Sequence, residues 1–139
     1  MYDQVFINFP VLDLKKAIAF YEGVGGRVNP QFSDETAACI VLSDKIHVML
    51  LTHPKYRQFT NKEIIDAKTG SEVLVCLSAD SREAVNDIAE KAKASGGRAD
   101  PNPPQDYGFM MSRSIEDPDG HVFEIMFMDM EAAAKAMAK

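Results

Sequence analysis

One local pattern occurs twice in this chain and limits the folds that it can adopt. In each copy, an amphipathic helix begins after an aspartate, ends at a pair of glycines and is followed at once by arginine, so that Gly-Gly-Arg recurs at 25–27 and 96–98. One strand-like run precedes each helix and three follow it. A repeat of roughly 70 residues indicates two copies of one supersecondary unit.

Both helices are predicted from apolar residues at helical spacing and from aspartates as N-caps. Asp13 is the expected cap of the first helix. Asp80 is the expected cap of the second, where Glu83 three positions later completes a capping box. The apolar stripes consist of Leu14, Ala17, Ile18 and Tyr21 in the first helix and of Ala84, Val85, Ile88, Ala89 and Ala92 in the second.

The strand-like runs give each unit the order βαβββ. We therefore predict an α+β fold in which two βαβββ modules form a concave, partly open mixed sheet with the helices on its outer face. A ferredoxin-like βαββαβ domain is the alternative, but it has two strands between its helices where this sequence has three. The runs cover residues 4–9, 27–29, 37–42 and 46–52 in the first unit and 72–78, 98–99, 108–114 and 121–128 in the second.

The 139 residues are sufficient for one well-buried core and too few for two ordinary domains. We expect one domain, divided into module one (3–53), a linker (54–69), module two (70–128) and a helical tail (129–139). The linker is predicted to be either a lid over a cavity or a plain connection between modules. The tail is predicted to dock on the core or on a partner, or to fray.

Composition excludes several classes of partner. A net charge of −6 leaves no basic surface for a phosphate backbone, so no nucleic acid is expected as a partner. No apolar run approaches the roughly 18 residues of a membrane span, and the N-terminus lacks a signal-peptide pattern, so we expect a cytoplasmic protein with no membrane partner. Cys39 and Cys76 both lie in apolar strand-like runs, where we expect small buried side chains rather than a disulfide.

One acidic residue interrupts the last predicted strand. Alternation places the odd-numbered residues of 121–127 on one face of the strand and the even-numbered residues on the other. Glu124 therefore lies between Val122 and Met126 on an otherwise apolar face. Its carboxylate is either functional, solvated, or paired with a basic group such as Arg113.

Two motifs in this frame resemble a known family. The helix signature Asp-Leu-x-x-Ala-x-x-Phe-Tyr occupies 13–21, and the turn Asp-Pro-Asp-Gly at 117–120 is followed four residues later by Glu124. Together they resemble the vicinal oxygen chelate superfamily, which groups glyoxalase I, bleomycin- and fosfomycin-resistance proteins and extradiol dioxygenases. The resemblance covers essentially the whole chain and is strongest to the bacterial set labelled predicted lactoylglutathione lyases.

The resemblance implies four positions at which metal-dependent members hold a divalent ion. They match Phe6, Leu50, Leu74 and Glu124 in this sequence. Only the glutamate can bind a transition metal, because phenyl and isobutyl groups have no lone pairs. We therefore expect no metal and no other cofactor. By strand alternation, His47 and His121 are expected to face away from the cavity.

The resemblance also implies a small-molecule ligand in a largely apolar concave cavity. Glu124 is the candidate base of a lyase or isomerase of the lactoylglutathione lyase type, which would remove a proton next to a carbonyl. The alternative is a non-catalytic protein that sequesters a ligand or drug, as bleomycin-resistance proteins do. A homodimer is expected in either case. The expected cavity residues are Phe6, Asn8, Leu50, Leu74, Cys76, Tyr107, Val122 and Met126.

Overall fold

A computed structural model describes residues 1–138 and contains the two predicted βαβββ modules. The α+β prediction is confirmed. In module one, the side chain of Asp13 accepts a hydrogen bond from the Lys16 amide and begins the first helix, as expected. The elements of this module are β1 (Val5–Val11), α1 (Leu14–Gly23), β2 (Arg27–Asn29), β3 (Ala37–Val41) and β4 (Ile46–Thr52).

Module one forms a four-stranded sheet, called sheet 1 below, with the order β1-β4-β3-β2. β1 and β4 are parallel, and the other pairs are antiparallel. Alternate residues of each strand, such as Phe9 and Leu50, are buried against α1, and the residues between them lie on the opposite, open face.

A short helix, α2 (His53–Tyr56), follows β4 directly and leads into an irregular segment that ends at β5. Module two then repeats the first arrangement, with one additional short strand. Its elements are β5 (Val75–Ser78), α3 (Arg82–Ala94), β6 (Arg98–Ala99), β7 (Gln105–Asp106), β8 (Met110–Glu116) and β9 (Val122–Met128), and α4 (Met130–Met137) follows.

Sheet 2, formed by module two, has the order β5-β9-β8-β6, and β7 pairs with the far end of β8. The start of module two differs from the sequence expectations in its helix cap and in its first strand. Ser81, not Asp80, is the N-cap of α3, because its hydroxyl accepts a hydrogen bond from the Ala84 amide at 3.0 Å. The first strand of this module begins at Val75, three residues later than predicted.

The helix-covered faces of the two sheets share one core. Phe9 of β1 and Phe123 of β9 are in edge-to-face contact, with ring centroids 5.7 Å apart. Phe20 of α1 lies against Gly97, the residue that directly precedes β6 of module two. Because both helix-covered faces point into this shared core, the open faces of the two sheets are directed away from each other in one chain.

The last helix is attached by few buried groups. Ala133 of α4 is 3% exposed, whereas Met130 and Met137 are each 72% exposed. Asp129 accepts hydrogen bonds from the amides of Glu131 and Ala132 and so caps the helix. Among residues 1–138, no helix has the length and apolar character needed to cross a membrane.

Candidate functional site

Glu124 lies on the open face of sheet 2. The β-ladder places Cys76 of β5 on one side of Glu124 and Ser114 of β8 on the other. Within residues 1–138, no hydrogen bond or ion pair holds the Glu124 carboxylate. Ser114 is engaged elsewhere, since its hydroxyl bonds to the backbone of Asn102 at 3.0 and 3.2 Å. An acid without a partner is therefore available to a ligand on this face.

Cys76 is the side chain next to Glu124 in the sheet. It is exposed, so the expectation of a small buried residue was wrong for this cysteine, although it holds for Cys39. Partial burial, and then the negative charge of Glu124, raise the pKa of the Cys76 thiol. The thiol is therefore protonated at neutral pH and can donate a hydrogen bond to an acceptor.

Arg113 does not neutralise Glu124. It pairs with Ile125 in the β-ladder and so lies on the helix-covered face. Its guanidinium bonds to Asp100 at 2.7 Å and to Glu90 at 3.1 Å. The possible ion pair between Arg113 and Glu124 was therefore wrong.

The remaining predicted residues of module two lie near Glu124 and Cys76. Val122 and Met126 share the face of Glu124, two residues to either side of it along β9. Leu74 precedes β5, is 51% exposed, and by alternation lies on the side of Cys76. Tyr107 is exposed in the turn before β8, and its ring stacks on Phe109.

The open face of sheet 1 carries Phe6 and Asn8, as predicted, but not Leu50. Leu50 is fully buried in the shared core beside Phe9, its partner in β1. The prediction for this residue, which came from the family match, was wrong. The run from Val48 to Leu51 is apolar on both faces, so alternation did not show which face is open. His47 was also misplaced: it lies on the open face, where its ring stacks on Phe6 with centroids 4.3 Å apart.

The hairpins of the two modules identify the residue that corresponds to Glu124. The pair Val41–His47 closes the hairpin of module one, and Glu116–Val122 closes that of module two. Two residues beyond the closing pair lie Met49 in module one and Glu124 in module two. Met49, which the sequence analysis did not select, therefore occupies the position that was assigned to Leu50.

A groove of about 490 Å³ lies between the two modules, beside the unpaired edge of β1. Four consecutive residues of β1 (7–10) form one wall, and the beginning of β9 forms another. Residues of the linker, including Tyr56 and Ile64, also line the groove. Asn8 and Val122 line it, so the groove connects the candidate residues of both modules.

His121 lies at the junction of the modules. Its ring stacks on Phe9 with centroids 4.3 Å apart, and its Nε2 atom bonds to the carbonyl of Pro10 at 2.8 Å. The same residue lines the groove. It therefore couples the edge of β1 to the turn before β9.

The side chains at the four family ligand positions do not fit a transition metal. With Met49 in place of Leu50, these positions hold Phe6, Met49, Leu74 and Glu124, of which only the glutamate supplies an oxygen. Within residues 1–138 of one chain, no three His, Cys, Asp or Glu side chains are grouped closely enough to hold an ion.

The model of the Glyoxalase/Bleomycin resistance protein/Dioxygenase superfamily matches residues 4–125, and the chain belongs to this family. This agrees with the resemblance of the two sequence motifs. A search of curated proteins found no match.

Solved structures with the same fold include enzymes and resistance proteins. A glyoxalase/bleomycin resistance protein/dioxygenase family enzyme from Burkholderia phytofirmans PsJN has 21% identity and a TM-score of 0.73, over 91% of this chain and 98% of the other. The fosfomycin resistance protein FosX from Mesorhizobium loti has 17% identity and a TM-score of 0.69, over 96% and 98%. A bleomycin-binding protein in complex with bleomycin has 21% identity and a TM-score of 0.61, over 90% and 98%.

Proposed function

We propose that the protein is a homodimer that binds a small, largely apolar organic molecule between two copies. The open face of sheet 1 of one copy and the open face of sheet 2 of the second copy would form the two walls of the cavity. The orientation of the sheets supports this, because one chain directs its two open faces apart. Phe6 on the first face and Leu74 on the second are each about half exposed, which leaves apolar surface for a second copy and a ligand to cover.

The observation that carries the proposal is the Glu124 carboxylate, which lies on an open face beside Cys76 and has no hydrogen-bond or ion-pair partner within residues 1–138. A buried or half-buried acid without a counter-ion in a ligand cavity is suited to bind a donor group or to accept a proton. We propose Glu124 as the base of a lyase or isomerase that removes a proton next to a carbonyl. The Cys76 thiol is positioned to donate a hydrogen bond to the same ligand.

The alternative is a protein that sequesters its ligand without reaction. One structural relative favours it, because its name describes bleomycin binding. The apolar side chains at the other three family positions also favour it, since they offer no electrophile to stabilise an enediolate.

Complementation between two variants tests the two-copy cavity. Phe6→Asp places a charge on the open face of sheet 1, and Met126→Asp places one on the open face of sheet 2. With Nile red as a fluorescent apolar probe, we expect each variant alone to lose binding. When the two are unfolded and refolded together, half of the dimers are mixed, and one of the two cavities in each mixed dimer is free of both substitutions. The mixture should therefore recover about a quarter of wild-type binding. A mixture that binds no better than the separate variants would show that each chain forms its own cavity.

Turnover distinguishes the two functions. The hemithioacetal of methylglyoxal and glutathione is the substrate to test for the lyase. Turnover that is lost in Glu124→Gln, while Nile red binding is retained, would support Glu124 as the base of a lyase or isomerase. Binding without turnover in the wild type would support the sequestering protein.

A further inference from the structure

The repeated Gly-Gly-Arg motif places one arginine at the same point of each sheet. Arg27 pairs with Val41 across the β2–β3 ladder, and Arg98 pairs with Glu116 across the β6–β8 ladder. Val41 and Glu116 are each the hairpin-closing residue of their module. The two arginines are therefore equivalent in position and lie on the open faces.

Their electrostatic surroundings are not equivalent. In module two, Glu116 lies 3.7 Å from the guanidinium of Arg98 and neutralises it. In module one, valine takes the place of this acid, and within residues 1–138 no carboxylate lies at ion-pair distance from Arg27. A protein with a net charge of −6 thus retains a cation without a counter-ion on an open face.

The Arg27 side chain is exposed at the open face of sheet 1. Cys39 lies on the same open face, beside Asn29 in the β2–β3 ladder. Burial raises the pKa of the Cys39 thiol, and the positive charge of Arg27 opposes that shift.

Val41 of β3 pairs with Arg27 of β2 on one side and with His47 of β4 on the other, so His47 lies two strands from Arg27 on the same open face. Stacking on Phe6, with an angle of 12° between the rings, fixes the plane of the imidazole. The Nδ1 atom of His47 is buried and has no hydrogen-bond partner among the described residues. Module two has Val122 at this position, so the combination of arginine and histidine is specific to module one.

We propose that Arg27 and His47 form an anion-binding subsite on the open face of sheet 1 that holds a carboxylate or phosphate group of the ligand. A planar guanidinium binds either oxyanion through two parallel hydrogen bonds. Phe6 and Met49 on the same face provide an apolar surface for the rest of the molecule. The subsite lies on a single chain, so it does not depend on the two-copy cavity, but it adds a ligand class to the proposed function: a small apolar acid or phosphate monoester.

Binding of three simple probes tests the subsite. Benzoate and phenyl phosphate carry the anion on an aromatic ring, and benzamide is a neutral isostere of benzoate. We expect the wild type to bind both anions at least tenfold more tightly than benzamide, as measured by NMR titration of the amides of β2, β3 and β4. The ratio of benzoate to phenyl phosphate affinity identifies which oxyanion is preferred.

Arg27→Gln should reduce the affinity for both anions about tenfold or more, and a tenfold loss corresponds to one ion pair of about 1.4 kcal/mol. The affinity for benzamide should not change, because benzamide carries no charge. Arg98→Gln is the matched control at the equivalent position and should change neither. His47→Gln should weaken anion binding by a smaller factor. Equal anion affinity in the wild type and Arg27→Gln, or a wild type that does not prefer the anions, would overturn the proposal. Neither result depends on Met126 or Glu124, so failure here is distinct from failure of the two-copy cavity.

Discussion

The hydroxyl of Tyr21 donates a hydrogen bond to Oδ2 of Asp117, at 2.7 Å, between residues 96 positions apart in the chain. Tyr21 belongs to α1 of module one, and Asp117 begins the turn before β9 of module two. Both side chains are buried. The other carboxylate oxygen of Asp117 accepts from the amides of Asp119 and His121, so one side chain both shapes the turn and joins the modules.

Removal of the tyrosine hydroxyl should destabilise the protein without changing its fold. Tyr21→Phe leaves the Asp117 carboxylate buried with one partner fewer, and we expect the free energy of unfolding to fall by about 1–3 kcal/mol. Urea denaturation measures it. Tyr107→Phe is the control, because that hydroxyl is exposed and bonds to nearby Gln105 alone among the described residues, and it should cost less than about 0.5 kcal/mol. Equal losses in both variants would contradict a structural role for the bond.

The same aspartate should make stability depend on pH. Burial raises the pKa of the Asp117 carboxyl above its usual value, and the charge of nearby His121 and the Tyr21 hydrogen bond offset part of that shift. A pKa raised in the folded state means that the carboxyl contributes most to stability below about pH 3.9, its value in unfolded chains, and that the contribution is lost as pH rises through the folded-state pKa.

Asp117→Asn removes this titration and retains an oxygen for the backbone amides. The unfolding free energy of the wild type relative to Asp117→Asn should therefore decrease as pH rises from about 3.9 through the raised value. Parallel unfolding curves across that range would show that burial does not raise this pKa.

The sequence was sufficient to predict the modules but not the way in which they face each other. Helices α1 and α3 and their neighbouring strands follow from apolar spacing and glycine stops, which are local signals. The contact of Phe20 with Gly97 and the bond from Tyr21 to Asp117 join distant residues, and no periodicity encodes them. These contacts place the helix-covered faces together. The sequence therefore did not predict that the two open faces of one chain are directed apart.

The site shows the same division between local and long-range information. In β9 the polar side chain of Glu124 marked one face, and its position was assigned correctly relative to the sheet. In β4 the run from Val48 to Leu51 is apolar on both faces, so alternation could not correct the family match, which assigned the position to Leu50 instead of Met49. The hairpin register of module one, which only the fold provides, resolves the difference.

Close packing of the modules at Gly97 gives a third prediction. A Cβ at this position would collide with the carbonyl of Glu116 and the ring of Phe20. Gly97→Ala should therefore lower the free energy of unfolding by about 3 kcal/mol. Gly25→Ala is the matched control: there φ is +106° and nothing lies within 4 Å of the added carbon, so only backbone strain of about 1 kcal/mol is expected. A larger loss at Gly25 than at Gly97 would place the tight contact elsewhere.

The last prediction concerns metal ions, and it follows from the side chains at the four family ligand positions. Phe6 and Leu74 have no lone pairs, Met49 has only a soft thioether, and Glu124 alone cannot hold nickel, zinc, iron or manganese against water. We expect each of these ions to leave the melting temperature unchanged. An ion present at 100 times its dissociation constant would stabilise the folded protein by about 2.7 kcal/mol, which is well within detection. Glu124→Gln should respond in the same way as the wild type. Stabilisation of the wild type that disappears in Glu124→Gln would show that a metal centre is assembled from these residues, and it would favour the lyase over the sequestering protein.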